Sequence, residues 1–63
     1  MKNNIALYRK SIELSQYRLA KKVGISRNSI NKIENGKSIP SLETANNIAK
    51  ALNASIYQIF DLN

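Results

Sequence analysis

An all-helical domain of five short helices is the expectation for this 63-residue chain, and three features carry it. Apolar residues recur at helical spacing in five separate windows. Serines able to cap a helix stand directly before the later windows. No stretch alternates apolar and polar residues in the manner of a half-buried strand. The length allows a single domain, 1–63. A chain this short buries only about 60% of its unfolded surface, so its core must be tight.

The first helix is expected over about residues 3–12, with Ile5, Tyr8 and Ile12 on one face. The second begins after Ser15 and runs to Val23, burying Leu19, Ala20 and Val23. Gly24 ends it, because glycine enters the left-handed region without a Cβ penalty. Ile25 follows as an apolar plug, Ser26 caps a third helix to about Asn35, and Gly36 stops that one. Residues 37–40 form a loop in which Pro40 keeps Ile39 out of helical angles. Ser41 caps a fourth helix to about Leu52, with Leu42, Ala45, Ile48, Ala49 and Leu52 as its stripe and Asn53 as the left-handed residue beyond. Ser55 caps a short fifth helix that turns Ile56, Ile59 and Phe60 inward.

Composition removes whole classes of function. The chain has no Cys and no His, so zinc fingers, thiol nucleophiles and imidazole bases are excluded. Its four carboxylates, Glu13, Glu34, Glu43 and Asp61, show no pairing suited to acid–base work. No enzyme, metal or cofactor is expected. The longest apolar run, Ile5 to Tyr8, falls far short of the roughly 20 residues that span a bilayer and is too short for a signal peptide. A soluble, cytoplasmic protein with no membrane partner is the expectation.

The net charge of +6 is uneven. Residues 1–37 carry nine basic and two acidic side chains, a net of +7, whereas residues 38–63 carry a net of −1. A field concentrated on one half attracts a polyanion such as nucleic acid; mere solubility is the bland alternative.

Two short helices joined by Gly24-Ile25-Ser26 have the form of a helix-turn-helix, over about residues 15–35. At about 100° per residue, Ile30 and Ile33 define the buried side of the third helix. Asn28, Asn31, Lys32 and Asn35 lie opposite, with Arg27 on the flank. All can donate hydrogen bonds and none is acidic. Asn can pair with adenine at N6 and N7, and Arg or Lys with guanine at O6 and N7. The alternative is a face that only dissolves. Glu34 projects about 40° from Ile30, beside the core, where an unpaired charge is costly; Arg9 is its candidate partner, with water as the competing one. Gln16 sits in the first turn of the second helix, where free N–H groups favour phosphate. Tyr17, Arg18, Lys21, Lys22, Lys37 and Ser38 are further phosphate candidates, Lys21 and Lys22 being equally readable as solvated charges.

These residues spell a family. Leu14-Ser15-Gln16, Leu19 to Ser26, Ile30, Ile33 to Lys37, Pro40 to Thr44 and Ile48 to Leu52 together resemble the Cro/C1-type (XRE-family) helix-turn-helix domain, over roughly residues 5–61. The resemblance implies a five-helix domain of the lambda-repressor-like type whose third helix enters the major groove of double-stranded DNA. It implies base reading by Arg27, Asn28 and Lys32, with Asn31 also facing the groove. It implies phosphate contacts at Gln16, Asn35 and Lys37, a set to which Tyr17, Arg18, Ser26 and Ser38 are added here. It also implies an Arg9–Glu34 ion pair, and a homodimer that represses transcription from a near-palindromic operator.

Departures from the family pattern are informative. Glu13 stands where many members have Gly, Tyr17 and Arg18 where members often have acidic residues, and Tyr57 and Gln58 likewise. Tyr57, Phe60 and Leu62 are the expected dimer surface, although Tyr57 could equally pack on its own domain. The competing function is an antitoxin-like module that binds a partner protein and DNA only secondarily. RNA binding ranks third, since the chain has only four aromatic residues to stack on bases. No effector domain is seen, so no small-molecule ligand is expected; an antagonist protein is the expected means of control.

Overall fold

A computed structural model of the chain describes residues 2–60. Among these residues, α1 spans Ile5–Ser11, α2 Gln16–Val23, α3 Arg27–Glu34, α4 Leu42–Ala51 and α5 Ile56–Ile59. Their starts follow from serine chemistry. The hydroxyls of Ser15, Ser26, Ser41 and Ser55 accept the backbone N–H groups of Arg18, Ser29, Thr44 and Gln58, satisfying donors that a helix start leaves orphaned. At α5 the Gln58 side chain also accepts the Ser55 N–H at 2.8 Å, closing a capping box on a helix of only four residues.

The helix ends repeat one solution. After α1, α3 and α4 a left-handed residue, Glu13, Gly36 or Asn53, donates its N–H three residues back. The following residue then reaches the carbonyl five positions before it: Leu14 to Arg9, Lys37 to Lys32 and Ala54 to Ala49. After α2, Gly24 holds the left-handed place at φ +87° and Ile25 reaches Ala20 in the same way. This is the Schellman pattern, which satisfies carbonyls that would otherwise be orphaned.

α2 packs against α3 and α4, and α4 against α5. Ile5, Leu19, Ile30, Ile48, Ile59 and Phe60 are wholly buried at the centre. Ala20, Ala45 and Ala49 are buried too, and their small side chains allow close helix approach. Tyr8, Val23, Ile25 and Ile56 are half-buried against this core.

Two stripe assignments fail. Ile12 is 50% exposed because α1 stops at Ser11 and the chain is already turning toward Glu13. Leu42 is 73% exposed. It is the first residue of α4, and its side chain leans toward the N-terminal side of its own backbone position, past the core that Ala45 and Ile48 enter. One contact was not anticipated: Asn3 pairs with Phe60 in an isolated antiparallel bridge, and the Asn4 N–H reaches the Ile59 carbonyl at 2.7 Å.

Candidate nucleic-acid interface

The two sides of α3 are chemically separate. Ile30 and Ile33 are buried, whereas Arg27, Asn28, Asn31 and Lys32 are exposed, as is Asn35 just past the helix. The exposed side is held in place from both ends. Ser26 caps the start, so its hydroxyl already accepts the Ser29 N–H at 3.1 Å and contacts the Ser29 hydroxyl at 3.0 Å. At the other end the Asn35 amide donates to Asn31 Oδ1 at 3.2 Å. Lys37 is exposed directly after the left-handed Gly36, and Ser38 is half-buried.

The carboxylate of Glu34 is withdrawn from that exposed side. Its side chain is only 7% exposed, and Arg9 Nε donates to Oε2 at 2.9 Å. Arg9 Nη2 and the Gln16 amide both donate to Oε1, at 3.3 and 3.2 Å. A further Arg9 nitrogen reaches the Leu14 carbonyl at 2.8 Å. One carboxylate thus joins α1, the start of α2 and the last turn of α3, and no buried side-chain polar atom among the described residues lacks a partner. Such a network avoids the penalty of an unpaired buried charge. Gln16 is half-buried and engaged inward through its amide, which sequence spacing did not reveal.

On the outer side of α2, Tyr17 and Arg18 are exposed, and Lys21 Nζ lies 5.5 Å from the centre of the Tyr17 ring, one helical turn away. The expected dimer surface divides. Tyr57 is 76% exposed, but Phe60 is 1% exposed and paired through its backbone with Asn3, so it belongs to the core and offers no surface to a second chain. Leu62 lies outside the described residues. Asn3 and Asn4 were missed; their position just before the first apolar stripe was the one available signal. Among the described residues no acidic cluster could hold a metal, and no helix is long and apolar enough to cross a membrane.

A capped helix, a glycine turn and a second helix with a donor-rich outer side define a DNA-binding helix-turn-helix domain. The chain matches the helix-turn-helix family over residues 5–59. It is 48% identical over 60 residues to an uncharacterized HTH-type transcriptional regulator of Methanocaldococcus jannaschii, covering 95% of this chain and 91% of that one. It is 37% identical over 59 residues to the cryptic phage CTXphi transcriptional repressor RstR of Vibrio cholerae, covering 94% of this chain and 53% of the relative. Among solved structures, a chain of the SinR protein/SinI protein complex superposes with a TM-score of 0.83 at 27% identity, covering 92% of this chain and 57% of that one. The chain belongs to the Cro/C1-type (XRE) helix-turn-helix family of transcription regulators, which are not enzymes.

Proposed function

We propose that this chain is a cytoplasmic, sequence-specific repressor that binds double-stranded DNA as a homodimer on a near-palindromic operator. The observation that carries the reading is the charge sorting of α3: Arg27, Asn28, Asn31 and Lys32 are exposed, while Glu34 is turned away and neutralised by Arg9. In this reading α3 lies in the major groove, and Arg27, Asn28, Asn31 and Lys32 meet base edges. Tyr17, Arg18, Asn35, Lys37 and Ser38 hold phosphates, joined by Ser26 and by the second amide N–H of Gln16. The name of the Vibrio cholerae relative supports repression as the outcome. Exposed Tyr57 belongs to the pairing surface, and a palindromic operator then calls for two copies of α3 about 34–36 Å apart, one turn of DNA.

Selection of binding sites from random duplex DNA, followed by salt titration of the winner, tests the proposal. Two related half-sites about 10 bp apart, centre to centre, are the expected result. Recovery of one half-site alone removes the stable dimer. Binding without sequence preference and steep in salt removes base reading altogether. A second reading has one observation in its favour: the structural neighbour is named as part of a two-protein complex. In that reading a partner protein controls the DNA-bound form, and exposed Ile39 and Leu42 are available to it.

A further inference from the structure

The last turn of α3 is held on two sides. Glu34 ties it to α1 and α2 through Arg9 and Gln16. The second attachment comes from 30 residues away: Asn3 Nδ2 donates to the Ile33 carbonyl at 2.7 Å. Asn3 is itself fixed. Its Oδ1 accepts the Ile5 N–H at 3.2 Å, and its backbone pairs with Phe60. Asn4 completes the strap, donating through its amide to the Gln58 carbonyl at 2.9 Å and through its N–H to Ile59. One short segment before α1 therefore grips the end of α5 with its backbone and the Asn4 amide, and the end of α3 with the Asn3 amide.

We infer that Asn3 is a positioning residue for base reading: its amide, bonded to the Ile33 carbonyl and anchored on α5, sets the tilt of α3 against the rest of the domain. The inference rests on the proposal that α3 reads DNA. The physics is that of a lever. The start of α3 is fixed by the short turn after α2, so the position of its far end sets how the outer side chains meet the groove. Contacts to phosphate tolerate a small tilt, because mobile basic side chains follow the backbone. Bidentate pairs with base edges require aligned donors and acceptors and do not tolerate it.

Three variants of the full chain separate positioning from simple stability. Asn3→Asp keeps the shape and the acceptor for Ile5 but replaces the donor facing the Ile33 carbonyl with an oxygen. Asn3→Ala removes both functions. Asn4→Ala loosens the strap from Gln58 without touching α3. Affinity is measured for the selected site and for random duplex of equal length, alongside urea stability, at a temperature where every variant is folded. In the expected result both Asn3 variants lose about tenfold in the ratio of specific to non-specific affinity, comparable with one impaired base contact. Asn3→Asp is the worse of the two, and Asn4→Ala keeps the ratio despite lower stability. The inference is overturned if the Asn3 variants keep the ratio, or if Asn4→Ala lowers it in step with its loss of stability. If the unsubstituted chain shows no preference for any site, base reading itself fails and the inference falls with it; a clear preference that the Asn3 variants retain overturns the inference alone.

Discussion

The inner and outer sides of α3 occupy the same eight residues and obey opposite rules. Inward, Ile30 and Ile33 are closed off by neighbouring helices, and Glu34 receives hydrogen bonds from Arg9 and Gln16. Outward, Arg27, Asn28 and Lys32 stand in solvent, and the side-chain contact of Asn31 is with Asn35. The inner side is therefore occupied, and substitutions there are felt as stability. The outer side is kept available, and under the proposed function substitutions there are felt as DNA affinity. The separation explains why the one carboxylate of α3 is on the inner side: outside, it would repel phosphate, whereas inside it links three helices.

The largest effects break the inner side. Ile30→Ala removes a wholly buried side chain and is expected to cost about 2–5 kcal/mol. A domain of this size holds only about 3–9 kcal/mol in total, so loss of helical circular dichroism at room temperature is a natural outcome. Glu34→Ala strands a guanidinium that is only 12% exposed and is expected to cost about 3 kcal/mol, measured by urea unfolding. Replacing Arg9 and Glu34 together with Met and Leu recovers most of that loss, because no unpaired charge remains. A Glu34→Ala protein of unchanged stability would mean that the pair does not brace α3.

The outer side is tested by Asn28→Ala. Affinity for the selected site falls by about 1–3 kcal/mol and preference relaxes at one base position, while urea stability stays within about 0.5 kcal/mol. Loss of stability without change in base preference would reverse the assignment of the two sides. Lys37→Ala sharpens it further: binding weakens for all sequences alike, and the slope of log affinity against log salt shrinks by about one.

Sequence periodicity works where a helix has turns on both sides of the residue in question. Leu19, Ile30 and Ile48 are such cases, and the wheel places all three inside; Glu34, the last residue of α3, still falls beside them, where Arg9 meets it. The serine caps are equally legible, since an N-cap depends on local chemistry. The wheel is a weaker guide at helix ends, where its premise of a continuous helix breaks: Ile5 opens α1 and is wholly buried, whereas Leu42 opens α4 and faces solvent. Leu42, at a start, and Ile12, just past an end, share the apolar faces of their helices in sequence and yet face solvent. It also misses contacts between backbones. The Asn3–Phe60 bridge joins opposite ends of the chain, and no residue pattern announces which carbonyl a distant asparagine will meet. Phe60 was split between core and dimer surface for the same reason: its exposure depends on a strap that periodicity does not see.

The smallest effect concerns the four Schellman ends and departs from the family pattern in an instructive way. Gly24 and Gly36 flank α3 with φ of +87° and +73°, a conformation that costs glycine nothing. Asn53 adopts φ +54° and is the side chain that best tolerates it. Glu13 adopts φ +55° with neither advantage. Its carboxylate also lies at the end of α1, where the helix dipole is negative. Part of the left-handed cost is offset by the smaller freedom of Glu in the unfolded chain. Glu13→Gly is therefore expected to stabilise the domain by about 0.5–1 kcal/mol, a rise in Tm of roughly 4–8 °C. Glu13→Asn gives a smaller gain, and Glu13→Gln, which keeps the backbone cost and removes the charge, gives the least. Thermal unfolding at low and high salt separates the two causes, because only the charge contribution is screened. A destabilised Glu13→Gly would mean that the carboxylate makes a favourable interaction that outweighs its backbone strain.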